Sequence, residues 1–427
     1  MKSMKLRLMP TANQRKILRQ WMGTVRFLYN KANQAVREKR AKSEFKKLRQ
    51  TILTDESLLR DNEWLNQIPN AVKQTAIKQL SEAYKTNFAK KTKTSFQVQF
   101  KSKKLAKTEV AQFDKRGVSF SPRQKLTEAN VSLLPTYLKT TMIVVDSKKY
   151  IKQLVQMKRP PCEVKIQYHY RSGNYYLLVP VKHLPPLSTN ANVHGVVSID
   201  PGVRTFATCY SPTAGVGKLP IDGDAGMKRR YHRIDRMKSA LATIKSSKTE
   251  HRSPKARRKT LARMTKKVHR LWQEIDDCKH HMHYSIIKFL LSNFEQVVIP
   301  DFDPHSMTDK RTSVLASATK RAMFNWGHGL FRQRLKTKAS LLGRPEAVVI
   351  VTEEYTSKTC GNCGNIKHNL GSTKTYHCEG CGMRADRDVN GARNILLKHL
   401  TESGNLEGCG RVDVEGPQEE MINISRC

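Results

Sequence analysis

VVSIDPGVRTFATCY, residues 196–210, reads as an apolar strand ending in an aspartate, a turn at Pro201-Gly202 and a second strand. Two more apolar runs, QVVIP (296–300) and EAVVIVTEE (346–354), predict further strands, and the stretches between them (225–293, 313–342) are helical in pattern. SSKTEHRSPKARRK (246–259) interrupts the first helical stretch and reads as a loop between two helices. An acid ending a buried strand costs desolvation unless a cation compensates it. Asp200 is therefore either a turn aspartate or a cation ligand.

Upstream the texture differs. MKLRLM (4–9) alternates as a strand, and Thr11 with Gln14 forms a capping box that opens a helix with an apolar stripe through Ile17, Leu18, Trp21, Met22, Val25, Leu28 and Tyr29. A second helix, from about Pro69 to Lys90, carries Val72, Ala76, Leu80, Tyr84 and Phe88 on one face, predicted to be core. Strands dominate 117–190, where EVKIQYHY and YYLLVPVK form a hairpin through RSGN at 171–174. LPPLSTNANVHG (184–195) is a linker by composition and the clearest domain boundary. No internal repeat is visible.

The 427-residue chain has 78 Lys and Arg against 36 Asp and Glu, a net charge of +42 and a pI near 10.1. Basic residues run through every region except the extreme C-terminus, which predicts a nucleic-acid partner along a long track; an anionic membrane surface is the alternative. No 18-residue apolar run is present, so nothing is expected to span a membrane, and MKSMKLRLMPTANQ has no signal-peptide core; with nucleic acid the leading polyanion, no membrane partner is expected.

Cys360-Gly-Asn-Cys363 and Cys378-Glu-Gly-Cys381 are two CxxC pairs separated by 14 residues, a spacing that lets four thiolates hold one structural Zn²⁺; a redox CxxC is the alternative. Gly361, Gly364, Gly380 and Gly382 are expected to give the knuckles backbone freedom. The other five cysteines, Cys162, Cys209, Cys278, Cys409 and Cys427, are scattered, which suits a reducing compartment. In MRADRDVNGARNILLKHL (383–400), Asp386 reads as a helix cap, whereas Asp388 starts a face continuing through Ala392 and Ile395 toward the sheet. Two carboxylates on one sheet edge begin a two-metal phosphodiester-cleaving site, with Mg²⁺ ions about 3.5–4 Å apart. No Ser-His-Asp arrangement is visible, and His280, His281 and His283 belong to a helix surface or core.

KLRLMPTANQRKILRQWMGTVRFLYNKA (5–32), SIDPGVRTFAT (198–208), YTSKTCGNCG (355–364) with CEGCG (378–382), and DRDVNGARNIL (386–396) together resemble the TnpB/Fanzor proteins. These are transposon-encoded RNA-guided DNA endonucleases with a RuvC-type nuclease of RNase H fold. The resemblance covers nearly the whole chain and is weakest across 95–190 and after 400. It implies catalytic, Mg²⁺-binding roles for Asp200 and Asp388. The bacterial branch ends its second strand in glutamate, where this chain has Pro300. Either the nuclease is dead or another acid substitutes. Asp301 and Asp303 have the wrong strand parity. The Fanzor branch has a glutamate just before the T-S-K-T-C segment, and its spacing selects Glu353, with Glu354 in reserve.

The architecture so implied is multidomain α+β. A helical recognition domain (10–110) is inserted in a β-barrel wedge domain (1–9 and 111–190). An RNase H-like RuvC domain (195–355 and 384–400) follows, with a zinc-binding module (356–383) inserted in it and a C-terminal tail (401–427). The resemblance implies an omega-type guide RNA, a double-stranded target DNA, two Mg²⁺ ions, one Zn²⁺ and a monomeric ribonucleoprotein. The displaced glutamate points to a eukaryotic or eukaryotic-virus source, and KARRK (255–259) is compatible with nuclear import. The rival readings are a catalytically silent RNA- or DNA-binding regulator and a strand-transferring transposase.

Overall fold

The computed structural model describes residues 2–89, 96–103, 108–170, 172–181, 194–203, 205–219, 223–246, 253–302, 308, 317–369, 371 and 373–404. Asp303, most of the 184–195 linker and the tail beyond 404 lie outside them. The chain divides into two units, Met1–Pro185 and Pro186–Cys427.

The first unit contains β1 (Lys2–Met9), α1 (Ala12–Arg37), α2 (Phe45–Leu53), α3 (Glu56–Asp61), α4 (Asn70–Ala89), β2 (Thr108–Phe113), β3 (Val118–Pro122), β4 (Glu128–Leu133), α5 (Pro135–Leu138), β5 (Met142–Val145), α6 (Lys148–Met157), β6 (Val164–His169) and β7 (Asn174–Val181). Thr11 caps α1 in the expected box, its hydroxyl accepting from Gln14 N while Gln14 Oε1 accepts from Thr11 N. Helices and sheet share one core around Leu18, Trp21, Leu80, Phe113 and Leu177. Phe88 departs from the expected stripe: it is 64% exposed and meets Phe96 edge to face at 4.9 Å.

The seven strands are antiparallel in the order β2-β6-β7-β1-β5-β4-β3, so the expected barrel is not closed. Both edges are occupied in another way. Thr75 and Gln79 of α4 bond the free edge of β2 through Gln112 N, Gln112 O and Val110 O, while Phe120 N of β3 donates to Lys158 O at the end of α6. Edge groups satisfied by helices have no need of strand closure.

The second unit contains β8 (His194–Pro201), β9 (Ala207–Ser211), β10 (Gly215–Leu219), α7 (Gly223–Ser246), α8 (Pro254–Asn293), β11 (Phe294–Pro300), α9 (Ser317–Trp326), α10 (His328–Leu341), β12 (Val348–Val351), β13 (Thr375–His377), β14 (Arg384–Asp386) and α11 (Arg387–Glu402). Its five-stranded sheet has the order β10-β9-β8-β11-β12; the first three strands are antiparallel, and β8, β11 and β12 run parallel. Val197, Ile199, Val297 and Ile299 share a core with Ile286, Ile287 and Leu290 of α8. On the opposite face, Val298 and Val351 pack with Ile395 of α11, and Tyr210 packs with Ala392 and Leu396.

Two helical details differ from the sequence pattern. KARRK lies in the first turns of α8, where Arg257 donates to Ile244 O and Lys245 O and so caps the end of α7. Gly327, at φ +64, breaks the 313–342 stretch into α9 and α10. No helix among the described residues is long and apolar enough to cross a membrane.

Candidate active site and metal centre

Strand alternation decides where Asp200 points. Val197 and Ile199 belong to the α8 side, so Ser198 and Asp200 face α11. Ser198 Oγ accordingly donates to Ala392 O of that helix at 2.6 Å. Asp200 is half-buried and lies so close to α11 that a Cβ on Gly391 would sit 2.8 Å from its Oδ2. Glycine thus permits the approach of helix to carboxylate, a requirement with no periodicity to announce it. The register pairs Val298 with Ser198, which continued two residues sets Pro300 level with Asp200; Pro300 in turn pairs with Val351. Glu353 lies two residues beyond Val351, just past the end of β12.

Burial first, then the negative charges of Asp388 and Glu353, pushes the Asp200 carboxyl up to about 8, with Arg387 opposing. These three predicted acids therefore form one electrostatic cluster. Asp386 adds a smaller charge effect on Asp200, but its oxygens are engaged as the N-cap of α11: Oδ1 accepts from Asp388 N at 2.9 Å and Val389 N at 3.4 Å, and Oδ2 pairs with Lys218 Nζ at 2.7 Å. Burial raises its pKa, but Lys218 and the two amides outweigh burial and leave it lowered. Asp301 pairs with Arg332 and donates its N–H to Val351 O. Glu354 lines an open cleft that none of the three clustered acids lines. His283 is core, bonded to Trp326 O and Arg334.

The four predicted thiols also meet. All four Sγ atoms lie within 4.8 Å of one another, with Cys360–Cys381 at 3.7 Å and Cys363–Cys378 at 3.6 Å. Sulfurs about 2.3 Å from a common tetrahedral centre lie about 3.8 Å apart, so the set fits a tetrathiolate metal centre. An amide hydrogen bond from Cys381 leads the effects that hold the Cys378 thiol below its usual range. Gly364 and Gly382 close the knuckles at φ +76 and +72. Gly361 serves differently: its N–H donates to Asn390 Oδ1 at 2.9 Å, and a Cβ would crowd that oxygen.

Asn390 and Asn394 are functional candidates the sequence reading missed. Both are buried on α11, one turn apart. Asn390 Nδ2 donates to Thr359 O, while Asn394 Nδ2 donates to Thr356 O and Thr359 O at 2.8 and 2.7 Å. They fasten the segment running from Glu353 to the first knuckle onto the helix carrying Asp388. Two asparagines at i and i+4 inside a helix, where asparagine is unfavourable, were the available signal.

Gly391→Ala measures how tightly α11 and Asp200 are fitted. Alanine gains about 1 kcal/mol of helix propensity, while overpacking costs about 1–3 kcal/mol. Tm should move little, yet cleavage should fall at least about tenfold as the carboxylate is displaced. Wild-type cleavage with unchanged Tm would show that the close approach does not matter.

Comparison with known proteins supplies an independent line. Residues 328–395 match the family described as Cas12f1-like, TNB domain, and residues 1–44 match one described as a helix-turn-helix domain; here the latter span folds as β1 and the single long helix α1. A protein called "Putative transposase" in Paramecium bursaria Chlorella virus 1 is 30% identical over 95% of this chain and 88% of its own length. A TnpB-like protein of Acanthamoeba polyphaga mimivirus is 30% identical over 92% of this chain and 72% of its own. A "Putative RNA-guided DNA endonuclease" of Streptomyces pristinaespiralis is 27% identical over 100% and 94%. Among solved structures, Cas12f1 in its complex with sgRNA and target DNA superposes with a TM-score of 0.52 at 14% identity, covering 90% of this chain and 83% of that one, a likeness of fold. With relatives this similar along most of their length, the chain belongs to the TnpB-like family.

Proposed function

We propose that the protein is an RNA-guided DNA endonuclease of a transposable element, cutting target DNA by metal-assisted hydrolysis. The observation that carries this reading is the cluster of Asp200, Glu353 and Asp388 beside Pro300, the strand end where the bacterial branch has its glutamate. An RNase H-like assignment of the second unit agrees with its mixed five-stranded sheet covered by α8 and α11.

The acids fit a divalent cation. A carboxyl pushed up to about 8 by burial and neighbouring carboxylates, with Arg387 offsetting them only in part, is one whose ionised form a cation would stabilise. Asp200, Glu353 and Asp388 would hold two Mg²⁺ ions, whose chemistry when bound is to generate hydroxide and stabilise the leaving 3′-oxygen. The chain's own contribution is positional: β8 presents Asp200, the Asp386 cap orients the first turn carrying Asp388, and the Asn-fastened segment presents Glu353. The four cysteines would hold one structural Zn²⁺. An omega-type guide RNA and a double-stranded target are the partners, consistent with the net charge of +42. We assign the particle as monomeric, as the family resemblance implies, and as nuclear, given relatives in viruses of eukaryotes and the exposed Lys255, Arg258 and Lys259 at the start of α8.

The test begins with the RNA that copurifies with the intact protein. One dominant structured species ending in a variable segment is expected, and rewriting that segment should redirect cleavage to a matching duplex in Mg²⁺. A heterogeneous RNA mixture with no guided cutting would favour the silent binder, and joining of transposon ends would favour the transposase.

A further inference from the structure

The segment after Glu353 passes through a backbone conformation that a tyrosine should avoid. Tyr355 has φ +63, in the left-handed region that residues with a Cβ seldom enter. The surrounding turn imposes it. Tyr355 O accepts from Lys358 N, Thr359 N and Thr359 Oγ1, each at 2.9 Å, and Glu353 O accepts from Thr356 Oγ1 at 2.8 Å. The ring so displayed is 61% exposed. Held strain of this kind clusters at functional sites, and here the residue is two positions from a proposed metal ligand.

Tyr355 also walls an open cleft of about 460 Å³, together with Arg393, Lys398, Asn362 and the acidic Glu354. Arg393 forms no ion pair with a described residue, and Lys398 bonds only the hydroxyl of Thr352 among the described residues. An outward aromatic ring beside two cations matches the needs of an unpaired nucleotide, whose base stacks and whose phosphate seeks positive charge. Two Cα–Cα steps of about 3.8 Å bound the path from Glu353 to Tyr355, so the cleft opens on the same short stretch of chain that carries a proposed metal ligand.

We propose that Tyr355, Arg393 and Lys398 form a seat for one unpaired nucleotide of the DNA strand being cut, adjacent to the scissile phosphate. This rests on the nuclease reading above. The seat holds the strand after the duplex has opened, which gives Tyr355 a positioning role and leaves the chemistry to the three acids. The left-handed backbone separates ring from conformation: asparagine tolerates that φ and lacks the ring, whereas phenylalanine keeps the ring.

The experiment uses the full chain with its copurified RNA and single-stranded target DNA in which 2-aminopurine is moved position by position, in Mg²⁺-free buffer. Wild type and Tyr355→Phe should quench strongly at one position; Tyr355→Asn should lose that quenching at unchanged Tm. In Mg²⁺, Tyr355→Asn should lower kcat/KM about 5- to 100-fold, and Tyr355→Phe should stay within about twofold. Arg393→Gln should reduce the slope of log affinity against log salt by about one. If Tyr355→Asn quenches and cuts like wild type, the seat is wrong. If the wild type cuts nothing but still quenches in a Tyr355-dependent way, the nuclease reading fails and the nucleotide seat stands. Absence of position-specific quenching in a wild type that cuts would overturn the seat alone.

Discussion

Glu353→Gln is expected to lower guided DNA cleavage by about 10³-fold or more while leaving RNA retention unchanged. The amide has the shape of the carboxylate but no charge, so the fold should survive and the cation affinity should not. Glu354→Gln, on the neighbouring cleft, should stay within about threefold. Full activity in Glu353→Gln with loss in Glu354→Gln would move the role by one residue. Normal cutting by both variants would refute relocation to this segment altogether. A second readout needs no cleavage. Asp200 sits at about 8 in the folded chain against an ordinary 3.8, so between about pH 4 and 8 the folded state holds a proton that the unfolded state releases. In Mg²⁺-free buffer, stability should therefore be greatest at the acid end of that window and fall as pH rises through it. Glu353 supplies part of the charge that raises Asp200. Removing it lowers the upper edge of the window, so Glu353→Gln should lose less Tm than wild type between pH 6 and 8. Parallel Tm–pH curves for the two proteins would mean that Glu353 does not act on Asp200.

The parts of this site legible in sequence share one property: they repeat or cap. The apolar runs ending at Asp200, Pro300 and Val351 showed three strands, and CxxC spacing showed the thiolate set before any geometry was known. Thr11 with Gln14, and Asp386, were readable as caps because capping is a local hydrogen-bond problem. What escaped was non-local. Gly391 matters because of an oxygen nearly two hundred residues earlier, and nothing in its own helix requires glycine. Barrel closure failed as an expectation because Thr75 and Gln79 of a helix bond the β2 edge, which a strand pattern cannot foresee. Phe88 obeyed the four-residue stripe yet lies at the exposed end of α4, where Phe96 meets it. The carboxylate cluster falls between these cases. Strand parity excluded Asp301, as its pairing with Arg332 agrees, but only the register of β8, β11 and β12 brings Pro300 level with Asp200.

Cys378→Ser is expected to have the second large effect, because the thiolate centre and the acids share one piece of chain. Residues 356–361 run from just beyond Glu353 into the first knuckle, and Asn390 and Asn394 grip them at Thr356, Thr359 and Gly361. Small metal modules draw most of their order from the metal, with apparent Zn²⁺ binding of about 10–16 kcal/mol in zinc-finger peptides. Loss of one thiolate should reduce bound zinc from one equivalent to well below half. It should also open 356–383 to proteolysis and leave the two asparagines without fixed partners. Cleavage should then fall at least about 100-fold, and added Mg²⁺ should not restore it, since the defect lies in the placement of Glu353 and not in cation supply. Cys278→Ser, an exposed cysteine on α8, should keep both zinc and activity. Zinc content by elemental analysis, a proteolysis time course and guided cleavage on the same preparations decide the matter. A Cys378→Ser protein that lacks zinc, resists protease and cuts like wild type would uncouple the knuckles from the acids, leaving Asn390 and Asn394 as packing residues only.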